Sequence, residues 1–249
     1  MKVRSRSSSI PKKHSDQPQP KWACENLLAE LRKLGEKRNV EGMAHFGIVA
    51  KNVYGVSKPK MDELAKRIGR DHELALELWG SGVHDARILA GMIDEPRKVT
   101  VAQMNRWVLD FDNWDVCDGT CCHLFVFADA AWDRAVEWTK RKAEFQKRAG
   151  FALIAYLAYR DKTAKDDQYK KMLPILLREA HDDRNFVRKA VNWALRNIGK
   201  RNLQLNRAAI GTAQKMKRMD SRAARWIAAD ALRELEGEAV QARLRRKKA

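Results

Sequence analysis

The chain has 249 residues, 45% hydrophobic and 33% charged, a globular balance that leaves room for a sizeable core and excludes a wholly disordered polymer. Lys and Arg number 50 against 32 Asp and Glu, for a formal net charge of +18; self-repulsion at that level points to a polyanionic partner. No apolar run is long enough for a membrane-crossing helix, and Met1 to Lys21 lacks the apolar stretch of a secretory leader. The four cysteines, Cys24, Cys117, Cys121 and Cys122, have no disulfide-framework spacing, so a reducing cytoplasmic compartment is expected.

In chain order, residues 1–20 are basic, serine-rich and broken by proline, and are expected to form a flexible tail. Helical pattern begins near Trp22, with Leu27, Leu28, Leu31 and Leu34 on one face and Gly35 as a stop. Ser57 is a plausible cap, with Pro59 in the first turn of the next helix. Helices are then predicted over Met61–Ile68, His72–Trp79, Asp85–Ile93, Val101–Phe111, Ala128–Trp138 and Glu144–Tyr159. Four more follow over Tyr169–Ala180, Asn185–Ile198, Leu203–Lys217 and Ser221–Leu235. No period-two alternation interrupts them, so the class is all-α. The folded domain is expected to span 21–237, with 238–249 a second basic tail.

One stretch, Asp112-Asn113-Trp114-Asp115-Val116-Cys117-Asp118, combines a helix start with chemistry. Asp112, three residues before Asp115, reads as the cap. Trp114 and Asp118, four residues apart, then share a helix face. That pair is either a packing tryptophan beside a solvated acid, or an apolar wall holding a carboxylate beside a developing cation.

A repeat underlies the helices. Arg87, Arg148, Arg188 and Arg225 each open an apolar helix, and the last two intervals have the length of a HEAT-type helix pair. Such pairs stack into a curved solenoid with a concave binding face. The repeat arginines suit interhelical ion pairs as well as ligand contacts. Lys140, Arg141, Lys142, Lys147 and Arg148 form a basic cluster that is either a solvated face or a phosphate track, which Arg184 and Arg188 would extend.

Four segments occur in an order that resembles the AlkD-type DNA alkylation repair proteins, a HEAT-like-repeat family of DNA glycosylases. They are Leu78-Trp79-Gly80-Ser81 with His84-Asp85-Ala86-Arg87, Asn113 to Asp118, Phe145-Gln146-Lys147-Arg148, and Phe186 to Arg196. The resemblance runs from about Phe46 to Leu235 and implies a curved solenoid with a basic concave cleft. It places the catalytic carboxylate on Asp118, the cleft tryptophans on Trp114 and Trp193, and the DNA-contacting arginine on Arg148. Asn113 stands where the family pattern has a first tryptophan of a pair, and Phe145 and Lys147 replace a Trp and an Arg.

The implied substrate is duplex DNA carrying cationic alkylated purines such as 3-methyladenine or 7-methylguanine. A charged base is already a good leaving group, so no general acid is needed. One carboxylate can stabilise the oxocarbenium character that builds on the sugar, and indole faces can assist. Lys147, Arg184, Arg188, Lys140 and Lys142 would join Arg148 on the DNA backbone. Neither cofactor nor metal is expected, although Cys117, Cys121 and His123 invite weighing as a zinc set; thiols packed as small hydrophobes suit that spacing better. The protein is expected to act as a monomer. The alternatives are a non-catalytic paralogue that recognises distorted or branched DNA, and a protein-interaction scaffold.

Overall fold

The computed structural model describes residues 22–246; the expected N-terminal tail, residues 1–20, lies outside the described residues. Among these, α-helices follow one another with no strand. They are α1 (Cys24–Leu34), α2 (Lys37–His45), α3 (Lys58–Ile68), α4 (His72–Gly80), α5 (His84–Ile93), α6 (Val101–Trp107) and α7 (Trp114–His123). The second half comprises α8 (Ala131–Trp138), α9 (Glu144–Arg160), α10 (Asp166–Glu179), α11 (Asn185–Gly199), α12 (Leu203–Lys217), α13 (Arg222–Leu235) and α14 (Glu238–Arg246).

Apolar spacing explains how they stack. In α11, Val187, Ala190, Val191, Ala194, Leu195 and Ile198 recur every three or four residues, and all are fully buried. Each Val, Leu or Ile so buried contributes about 1.5–3 kcal/mol. The middle of α9, Phe151 to Ala155, has no polar position, and all five side chains are buried. It is accordingly covered by α7, α8 and α11. Gly150 allows the close approach of α8, because a Cβ there would sit 2.6 Å from the Thr139 amide nitrogen on α8's C-terminal side.

Sequential pairs α4/α5, α8/α9, α10/α11 and α12/α13 pack together, while α5, α7, α9, α11 and α13 lie side by side in one row. Each pair cannot bury its apolar face alone, and stacking supplies the missing cover. The divergent pair is α6/α7, where α6 stops at Trp107 and a single 3-10 turn, Val108–Asp110, replaces its last part. Trp107 stacks on Trp79, with ring centroids 3.9 Å apart and planes within 5°.

Three local expectations are revised. Asn113, not Asp112, caps α7: its Oδ1 accepts from the Asp115 and Val116 amides at 3.0 and 3.1 Å, and Asp112 accepts in turn from Asn113 Nδ2. The expected start of the C-terminal tail is helical. Val240 and Leu244, one turn apart on α14, are buried, and Gln241 Nε2 donates to Leu235 O at 2.6 Å. The α2 helix has no counterpart among the predicted elements; it is short, its stripe is only Val40, Met43 and Ala44, and of these Val40 and Met43 are no more than half-buried.

Candidate functional site

The site is built on α7, α9 and the turn after α2. The Asn113 cap sets the first turn of α7, which places Asp118 one turn beyond Trp114. Arg148 on α9 meets Asp118 in a bidentate pair, Nε to Oδ1 at 2.8 Å and Nη2 to Oδ2 at 2.6 Å. Its remaining terminal nitrogen donates to Phe186 O, at the start of α11, at 2.7 Å. The Trp114 indole N–H donates to Phe46 O at 3.0 Å. Burial pushes the Asp118 carboxyl above the ordinary aspartate value, although the Arg148 charge and hydrogen bonds pull it down.

Asp118 opens into a cleft of about 870 Å³, whose lining includes Trp114, Asp115, His84, Phe46 and Tyr156. Its carboxylates are Asp85, Asp115 and Asp118, and its Lys and Arg residues are Arg38 and Lys58; the floor is therefore not basic. Asp85 is a structural acid, accepting from the Tyr54 and Val56 amides at 2.7 Å each. His84 is buried with both ring nitrogens unbonded, and its Nε2 lies 3.6 Å from Asp115 Oδ2. Burial raises the Asp115 carboxyl, with repulsion from Asp118 and Asp85 adding to it and His84 and Lys58 opposing it.

Trp193 is not among the residues lining this cleft. It lines an adjoining groove of about 540 Å³ together with Tyr159, Lys162, Asn197 and Arg201. Tyr156 lines both spaces and stands edge-on to Trp193, centroids 4.7 Å apart. The second aromatic beside Asp118 is thus Tyr156. It sits inside the apolar run of α9, where nothing in the sequence sets it apart from core residues.

Two of the expected DNA-contacting cations face inward. Lys147 is buried, its Nζ 2.6 Å from Glu179 and 2.8 Å from Asp182, because those acids at the end of α10 face this part of α9. Arg148 is 7% exposed and committed to Asp118 and Phe186. The basic cluster is therefore not one exposed face: these two cations are held by acids of neighbouring helices. Arg184 clamps Asp182 and donates to Lys142 O at 2.6 Å while staying partly exposed. Arg188 lies over the Trp226 ring at 4.6 Å. Lys140 and Lys142 are exposed.

Four further tryptophans differ in burial. Trp107 and Trp138 are core, Trp132 is half-buried and donates to Asp161, and Trp226 is 38% exposed. Cys117 and Cys121 are buried and direct their Sγ to Phe145 O and Ala149 O at 3.6 and 3.8 Å. Burial pushes the Cys117 thiol well above its usual value.

Stacked helix pairs with one continuous row of helices, carrying a cleft on that row, define a HEAT-like repeat protein. The chain matches the model of the DNA alkylation repair enzyme family over residues 27–234, and it belongs to that family. It is similar in structure to a protein described as one of "a new family of proteins related to the HEAT-like repeat DNA glycosylases with affinity for branched DNA structures". That likeness has a TM-score of 0.70 at 23% identity and covers 86% of this chain and 95% of the other, and what is shared is the fold. No curated protein matches the chain. No helix among the described residues is long and apolar enough to cross a membrane.

Proposed function

We propose that this protein is a DNA glycosylase that hydrolyses the N-glycosidic bond of cationic alkylated purines in duplex DNA. The observation that carries the reading is Asp118, a carboxylate shielded from bulk water, oriented by Arg148 and open to a cleft walled by Trp114. When the bond from base to sugar breaks, its electron pair leaves with the cationic purine, which becomes neutral. Positive charge then builds on the sugar. A carboxylate fixed beforehand in a place of low dielectric stabilises that charge without having to reorganise. Water adds to the sugar carbon and gives up a proton, for which the carboxylates of Asp115 and Asp118 are the nearby acceptors. Trp114, partly exposed on the same helix, offers a ring face to the cation. Arg148 acts here as a positioning residue.

A second reading has its own observation. Both Asp118 oxygens already accept from Arg148, and an ion-paired carboxylate is a weaker partner for a cation. A non-catalytic protein that holds distorted or branched DNA would use the pair only as a brace. Chromatography of duplex DNA treated with a methylating agent separates the two. The glycosylase reading expects free 3-methyladenine or 7-methylguanine to appear in proportion to enzyme. Tight DNA binding with no released base would favour the second.

A further inference from the structure

The turn after α2 carries the two most exposed large apolar side chains among the described residues, Phe46 at 70% and Val49 at 77%. Leaving a phenyl ring in water forfeits the burial that normally stabilises it. The turn is nevertheless firmly built. The Phe46, Gly47 and Ile48 amides donate to Met43 O, Ala44 O and Met43 O at 3.0 Å each. Gly47 has φ +78°, and Ile48 is buried beneath the tip.

Its position matters more. Phe46 O accepts the Trp114 indole N–H, and the Phe186 ring lies against Gly47, where an added Cβ would be 3.2 Å from it. Phe186 O is also the acceptor for Arg148. The tip is therefore braced by the two residues that flank the Asp118–Arg148 pair, while the Phe46 ring projects into solvent. Arg38 lines the same cleft, and Arg38 and Lys51 are both exposed. The acids lie on the cleft floor while these two cations are exposed on the segments either side of the tip, where a phosphate backbone crossing the cleft could meet them.

We propose that Phe46, with Val49 beside it, is a wedge that enters the base stack of DNA lying across the cleft and opens one step next to Asp118. This rests on the cleft being a DNA site, though not on catalysis there. Proteins that bend DNA insert Phe, Leu, Ile or Met between base pairs in this way, and the unstacked step is held by contacts on either side. The cleft lies open to solvent rather than enclosed. A fixed wedge would tilt the duplex so that one sugar is presented to the acid.

The test uses the full chain and duplexes carrying 2-aminopurine at successive positions. Its fluorescence rises when stacking is lost. The parent is expected to raise it at one or two adjacent positions, and Phe46→Ala to abolish most of that rise and weaken binding about tenfold. The slope of affinity against salt should stay unchanged, since a phenyl ring neutralises no phosphate. Phe46→Leu should restore most of the signal. Phe46→Ala with the parent's fluorescence and affinity would overturn the wedge while leaving the DNA site standing. A parent that binds no duplex even at low salt would remove both. A variant altered only in sedimentation, from dimer to monomer, would make the ring a self-association contact and also overturn it.

Discussion

Asp118 and Arg148 are 16% and 9% exposed in their side chains, so each is the other's main substitute for water. Removing one partner of such a pair strands the other, and the penalty exceeds what the intact pair contributes. Arg148→Ala is expected to cost about 3–5 kcal/mol, read from urea denaturation, and to reduce any excision through misplacement of Asp118. The neighbouring Lys147 supports a different behaviour. Burial alone would raise the Asp182 carboxyl, but Arg184 and Lys147 outweigh it and hold it well below the ordinary aspartate value. Glu179 is lowered as well, with burial again opposed by Lys147 and Arg178. A carboxyl lowered on folding contributes stability that is whole above its unfolded value and is lost as pH falls towards the folded one. The melting temperature should therefore drop below about pH 4, and Asp182→Asn should make that drop shallower. None of this distinction is visible in the basic cluster. The acids that claim Lys147 and Arg148 lie up to 35 residues away in sequence, and only the stacking of helices brings them close.

At the scale of elements, periodicity is informative wherever a helix buries a stripe. The helix predicted over Leu203–Lys217 has those bounds in the structure, and α11 and α13 differ by a single residue at one end. The failures have physical causes. The α2 helix is short and fully buries no residue, so its stripe of Val40, Met43 and Ala44 is too brief to stand out. Asp112 outranks Asn113 as a cap on charge, yet the geometry of the turn gives the amides to Asn113. In α14, three arginines near the chain end obscure Val240 and Leu244, which sit four residues apart and face the core. Removing 238–249, the segment expected to be a basic tail, is thus expected to cost stability. A chain ending at Gly237 loses two buried apolar side chains and the Gln241 bonds to Asn206 and Leu235. Truncation there should destabilise the protein by roughly 3 kcal/mol, seen as a lower midpoint in thermal melting; an unchanged midpoint would show that α14 is not part of the fold.

For the molecule as a whole, a net charge of +18 and membership of a DNA alkylation repair family set the expected behaviour. Affinity for undamaged duplex should fall steeply with salt as counterions are released. Because Lys147 and Arg148 are buried in ion pairs, the exposed cations are expected to carry most of that slope. Changing Lys140 and Lys142 together to Ala is expected to reduce it by up to about 0.9 for each phosphate no longer neutralised, measured by fluorescence anisotropy across salt concentrations. The motifs are legible because Trp114 and Asp118 share a helix face whatever surrounds them. Tyr156 and Phe46 are not, because a tyrosine in an apolar run and a phenylalanine in a turn acquire meaning only from what lies across the cleft. The most direct measurement is single-turnover excision from a duplex carrying one 7-methylguanine, comparing the parent with Asp118→Asn. That substitution keeps the shape of the side chain and removes its charge; since it also leaves Arg148 without its ion partner, the variant is compared at a temperature and urea concentration where it is shown to be folded. The expected result is release of the base by the parent and a loss on the order of a hundredfold or more in the variant, with DNA binding retained. An Asp118→Asn protein that excises as fast as the parent, or a parent that releases no base, would contradict it.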